Sequence, residues 1–128
     1  MTEKLQIYKC EICGNIAQIL IPGSGALVCC GEEMKLLNIQ HDETELGEKH
    51  TPKFENNDSG RNVNVIGHPM TEEHYIQFIQ AYSQDKNEIY TKYFYPEEEP
   101  KTNISFMPEN SKAVEYCNIH RLWGSKDN

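Results

Sequence analysis

The sequence predicts a mainly β chain in two unequal units, a small metal-stapled unit followed by an antiparallel β-sandwich. Two observations carry this reading. Four of the five cysteines fall within the first 30 residues, and all five histidines come after residue 40. From Asn62 onward, short runs of Val, Ile, Tyr and Phe alternate with polar residues and are broken by turn-forming stretches, the pattern of many short strands. The boundary is expected near residues 37–41, giving units of residues 1–37 and 38–128.

The first unit is too short to hold itself together by burial, since chains under about 40 residues usually need a metal or disulfides. Leu5 and Ile7 alternate with polar neighbours as in a short strand, and Ile16 to Ile21 is a second apolar stretch. Pro22-Gly23-Ser24-Gly25 is a turn cluster, after which Leu27-Val28 leads into the second cysteine pair. In the second unit Val63 and Val65 share one face of a strand. Tyr75 to Tyr82 and Ile89 to Tyr95 form a hairpin around the polar Ser83 to Glu88, although Ile76, Phe78 and Ile79 would also suit a helix. Thr102 to Phe106 places Ile104 and Phe106 on one side, and Lys112 to Cys117 places Val114 and Tyr116 together. Pro96, Pro100 and Pro108 punctuate the run.

Charge and composition exclude some functions. Lys and Arg total 12 against 20 Asp and Glu, a formal charge of −8 over 128 residues, which argues against nucleic acid or anionic lipid as a partner. No apolar run approaches the roughly 18–20 residues of a membrane span. Met1 to Cys10 has no apolar core of a signal peptide, so the cytoplasm is the expected compartment. Cysteines there read first as metal ligands or catalysts.

Cys10-Glu11-Ile12-Cys13-Gly14 is followed, with 15 residues between Cys13 and Cys29, by Cys29-Cys30-Gly31. Four thiolates can enclose one tetrahedral ion, and a pair two residues apart grips it from one tight turn. The competing readings are a thioredoxin-like redox pair or buried free thiols, but a redox pair needs no second pair beside it. Spacing leaves iron or zinc open. A second constellation is His50, His68, His74, Cys117 and His120. Any one of these histidines alone is more often a plain surface or core residue, and His41, in Gln40-His41-Asp42-Glu43, reads as solvated. Together, His68 and His74 flank one short loop while Cys117 and His120, three apart, share another. Five protein ligands argue against structural zinc, which takes four. Imidazole suits iron, and a thiolate pushes electron density onto it. Four nitrogens in a plane with sulfur below leave one position open for an oxygen species.

These motifs resemble the desulfoferrodoxins, the two-iron class of superoxide reductase. Cys10, Cys13, Cys29 and Cys30 resemble desulforedoxin. Glu48-Lys49-His50 with Pro52, His68-Pro69-Met70 with His74, and Glu115-Tyr116-Cys117-Asn118 with His120 resemble the neelaredoxin-type catalytic domain. The resemblance covers nearly the whole chain. It implies two irons per chain: a rubredoxin-like centre on the four cysteines, and, in an immunoglobulin-like β-sandwich, a centre with His50, His68, His74 and His120 equatorial and Cys117 axial. It implies one-electron reduction of superoxide to hydrogen peroxide, electrons from rubredoxin or a similar donor, and a homodimer. Lys49 would attract superoxide, and Glu48 would occupy the sixth position of the oxidised iron. The rivals are a zinc-ribbon interaction module, a rubredoxin-like electron carrier and a superoxide dismutase.

Overall fold

The computed structural model of the chain describes residues 1–126; Asp127 and Asn128 lie outside the described residues. The chain divides into two compact units, Met1–Asn38 and a second beginning at Ile39.

The first unit is built from very short strands. β1 (Ile7–Lys9) pairs antiparallel with β2 (Ile16–Gln18) on one side and β5 (Lys35–Leu36) on the other, while β3 (Val28–Cys29) and β4 (Glu32–Glu33) form a separate two-stranded ribbon. The first strand starts later than the alternation suggests. Leu5 lies in a turn at φ 72, its N–H bonded to the Ile19 carbonyl at 2.9 Å, so the extended pairing begins at Ile7. Its buried apolar side chains are Ile7, Cys10 and Leu37, whereas Ile12, Leu20, Ile21, Val28 and Leu36 are exposed. A core of that size does not offset the entropy of ordering the chain. Ligand binding by the four cysteines supplies the missing term, because metal-binding free energy becomes folding free energy where the site exists only in the folded state.

The second unit opens with α1 (Glu45–His50) and continues with β6 (Lys53–Asn57), β7 (Gly60–Asn64), β8 (Ile76–Tyr82), β9 (Ile89–Tyr93), β10 (Lys101–Asn103), β11 (Lys112–Cys117) and β12 (Arg121–Gly124). Two antiparallel sheets form, one ordered β10-β7-β6 and the other β12-β11-β8-β9. Val63 in β7 and Val65 just after it, with Ile76, Ile79, Ala81, Ala113 and Cys117 from the other sheet, meet in a single buried cluster, the interleaved core of a sandwich. Period-2 alternation puts Ile79, Ala81, Ala113 and Cys117 on the inner face of their sheet. The helical alternative for Ile76 to Ile79 loses because β8 is flanked by strands on both sides, and pairing satisfies its backbone groups there. Ile104 is fully buried but Phe106 is 62% exposed, contrary to their expected shared face. The strand ends at Asn103, and the Asn103 side chain turns the chain by accepting the Ser105 N–H. The β6–β7 turn needs a glycine: Gly60 sits at φ 106, and a Cβ there would lie 2.1 Å from Ser105 Oγ.

α1 was not apparent from the sequence. It stops at His50 because Thr51 precedes Pro52 and is extended, at φ −70 and ψ 119, while the Thr51 N–H and hydroxyl both bond the Gly47 carbonyl. No described helix is long and apolar enough to cross a membrane.

Candidate metal centres

The four N-terminal cysteines converge. Cys10 follows β1, and its turn is closed by Gly14 N–H donating to the Cys10 carbonyl at 2.9 Å. Cys29 ends β3, and Cys30 adopts φ 54, the left-handed turn that swings its side chain back toward its neighbour. All four sulfurs lie within 4.8 Å of one another, with Cys13 and Cys29 at 3.6 Å and Cys29 and Cys30 at 3.9 Å. A tetrahedral ion with bonds of about 2.3 Å sets sulfur–sulfur edges of about 3.8 Å, so the spacing fits one ion. The Cys13 N–H donates to Cys10 Sγ at 3.5 Å and helps pull that thiol down to about 7. Cys30 is pushed up to about 12, chiefly by its sulfur's hydrogen bonds with Cys13 and Cys29. Four adjacent thiols cannot all ionise unaided; a cation among them lets them do so.

The second centre draws on three segments. His50 ends α1, His68 and His74 lie in the β7–β8 connection, and Cys117 ends β11, with His120 in the turn before β12. The imidazoles stand at the corners of a square. Successive ring centroids are 4.6 Å (His50–His68), 4.7 Å (His68–His74), 5.1 Å (His74–His120) and 4.8 Å (His120–His50), each pair steeply inclined. The His50–His74 diagonal is 6.4 Å, its rings at 29°. Donor atoms of His50, His74, Cys117 and His120 all lie within 4.8 Å of one another. His68 falls outside that tightest set, yet its Nε2 is 3.1 Å from Nε2 of His50. Two nitrogens bound at about 2.1 Å and at right angles are about 3 Å apart.

Tautomers follow from the neighbours. His50 Nδ1–H donates to the Leu46 carbonyl at 2.7 Å, and His68 Nδ1–H to the Pro69 carbonyl at 2.6 Å. Both Nε2 lone pairs therefore face inward at each other, and His74 Nε2 is buried with no hydrogen-bond partner. Such an arrangement is unfavourable unless a cation sits among the lone pairs. Burial pushes His68 down to about 4 and lowers His50 and His74 as well, keeping them neutral, as ligands must be. Cys117 is fully buried; burial raises its thiol, while the His120 N–H reaches its sulfur at 3.3 Å and favours the thiolate. The donor set, imidazoles with one thiolate, suits iron.

The family model for the desulfoferrodoxin N-terminal domain matches residues 2–37, and that for desulfoferrodoxin matches residues 42–126. The chain belongs to the desulfoferrodoxin family. A desulfoferrodoxin of Desulfarculus baarsii is 44% identical over 131 residues, covering 99% of this chain and 100% of its own. A superoxide reductase of Pyrococcus abyssi is 32% identical over 96 residues, covering 60% of this chain and 84% of its own. The crystal structure of the superoxide reductase from Treponema pallidum has a TM-score of 0.70 to this chain, at 23% identity, covering 98% of this chain and 100% of that one, a likeness of fold. The two donor groups match the two iron centres of a desulfoferrodoxin, one of sulfur alone and one of histidine with cysteine.

Glu48 and Lys49 are exposed on α1, directly before His50. The Lys49 ammonium pairs with Glu45 at 3.4 Å, one helical turn back. Three further residues near the ligands in fold or sequence carry no role from the sequence alone. Trp123 stacks on His50 at 4.9 Å and donates from Nε1 to the His120 carbonyl at 2.9 Å. Gln40 Nε2 reaches that same carbonyl at 2.8 Å. Glu115 is fully buried with neither oxygen hydrogen-bonded, and burial holds its carboxyl well above the usual range, in the neutral form. A lone tryptophan three residues after His120 was a usable signal; Gln40, 80 residues from its partner, gave none.

Proposed function

We propose that this chain is a superoxide reductase, turning superoxide, one electron and two protons into hydrogen peroxide at the histidine–cysteine centre. The square of four imidazoles beside a buried thiol is the observation that carries this reading, together with membership of the family and the activity named for the Pyrococcus abyssi relative. His50, His68, His74, His120 and Cys117 would hold the catalytic iron, and Cys10, Cys13, Cys29 and Cys30 the second iron, within units of residues 1–37 and 38–128. When bound among these donors, the catalytic iron supplies the electron that superoxide takes up.

The chain's own residues set the conditions for that step. His50 and His68 keep their protons on Nδ1, bonded to carbonyls, so both Nε2 atoms remain available as donors. The His120 N–H steadies negative charge on Cys117 Sγ. Lys49 raises the local concentration of an anionic substrate despite the net charge of −8, because distant exposed charges are screened beyond about 8–10 Å while near ones are not. Glu48, beside it, is assigned to the open face, where a carboxylate competes with substrate. The chain would receive electrons from rubredoxin or a similar donor, act in the cytoplasm and pair as a homodimer.

The test supplies superoxide to the iron-loaded protein with and without a reducing partner while following peroxide and oxygen. A reductase produces peroxide stoichiometric with protein and then stops until a donor is added. Continued turnover without a donor, with oxygen released, would make the chain a dismutase; no reaction at all would leave an electron carrier or a zinc-ribbon module.

A further inference from the structure

Asn118 lies between the two ligand residues Cys117 and His120 and takes no part in the chemistry above. Its side chain reaches the other ligand loop and grips both sides of His74. Oδ1 accepts the Tyr75 N–H at 2.9 Å, and Nδ2 donates to the Glu73 carbonyl at 3.1 Å. The Asn118 backbone N–H adds a third bond, to the Tyr75 carbonyl at 3.2 Å. A carboxamide is the side chain that can do this, being short and carrying one acceptor and one donor in a plane.

His74 needs such a hold more than its partners do. His50 and His68 are each aimed by a ring N–H bonded to a carbonyl. Among the described residues no carbonyl bonds the His74 ring, and the residue sits in a tight loop closed by bonds between His74 and Thr71. Its ring is therefore aimed through its backbone, and the peptides on either side of that backbone are the ones Asn118 ties. The strand pairing that could have fixed the loop is disturbed at the same place, since the β11–β8 register shifts between Tyr116 and Cys117. That irregularity brings Asn118 opposite Tyr75 rather than Ile76.

We propose that Asn118 is a positioning residue: its carboxamide couples the Cys117–His120 loop to the His74 loop and so sets the orientation of His74 toward the metal. This rests on His74 being a ligand, as proposed above. Outer partners of metal ligands typically cost about 10–100-fold in affinity when removed, and Asn118 should fall within that range.

The experiment compares the full chain with Asn118→Leu, close in shape and unable to hydrogen-bond, and Asn118→Asp, which keeps the acceptor for Tyr75 but loses the donor to Glu73. Iron and cobalt(II) retention at the second centre are measured by chelator competition, and the thiolate-to-metal absorption of the cobalt form is recorded. Asn118→Leu should weaken retention by about 10-fold or more and shift the band, with Asn118→Asp between it and the parent. The same substitutions are then made in His74→Ala. If Asn118 acts through His74, Asn118→Leu should have little further effect there. Equal losses in both backgrounds, or unchanged retention and absorption in Asn118→Leu, would overturn the proposal. Unchanged retention in His74→Ala alone would instead sink the ligand reading on which it stands. Far-UV circular dichroism of each metal-free protein separates loss of aim from loss of the sandwich: a variant that has lost its strands while Asn118→Asp retains both structure and full affinity also counts against the proposal.

Discussion

Lys49 combines a family-derived role with an observed competitor. Its ammonium is shared with Glu45 across one helical turn, and both side chains are largely exposed, so the pair contributes little stability. Lys49→Ala should leave iron bound and slow the encounter with superoxide by roughly 10-fold or more, within the range of electrostatic steering. The parent rate should fall as salt rises, and the variant should fall less. Pulse radiolysis across a salt series checks this, and an unchanged slope would return Lys49 to an ordinary surface charge. The histidines make a second prediction, for the metal-free chain. His68 titrates at about 4 in the folded state against 6.5 for a free imidazole. Between those values the unfolded chain binds a proton that the folded chain excludes, so stability is full above the unfolded value and is lost as pH falls through the window. His50 and His74 shift in the same direction. Urea titrations from pH 7 to pH 4 should give a falling midpoint; a flat profile would contradict the packing of the rings. Residue identity was the most legible level of this chain. Every side chain of both clusters was singled out in the sequence, because Cys and His are rare and their grouping is visible without a fold.

Among the elements, the strands of the sandwich could be read from alternation, since one face of each is buried. Elements whose order comes from special backbone geometry could not. α1 has six residues, too few for a helical period to be seen. It depends on a close approach at Gly47, where a Cβ would lie 1.8 Å from the Asp42 carbonyl oxygen. Gly47→Ala should therefore destabilise the second unit by on the order of 2 kcal/mol, like other forced backbone shifts. Metal should be held more weakly at the same time, because His50 is the last residue of that helix. Thermal melts of the metal-free protein with chelator competition of the loaded one measure both, and a fully wild-type result in the two assays would show that the helix yields without cost. Phe106 failed for a related reason. Alternation predicts sidedness only while the strand continues, and β10 ends at Asn103.

At the scale of the whole molecule, the two donor groups share no residue and belong to separate compact units. Cys13→Ser should therefore remove the sulfur-only iron absorption and loosen the first unit, while reduction of superoxide and iron retention at the second centre persist. Iron analysis with absorption spectra checks this, and concurrent loss of the second iron would mean that the units do not fold independently. The sequence by itself determined the chemistry, namely which residues can bind metal, that two sets exist, and that one unit is too small to fold by burial. Tertiary structure decided the arrangement: the square of rings, the tautomers set by Leu46 and Pro69 carbonyls, and the hold of Asn118, Gln40 and Trp123 on the ligand loops. The physical reason is that ligand identity is a local property of side chains. Ligand orientation depends on hydrogen bonds between segments tens of residues apart, and those exist only once the sheets have brought the segments together.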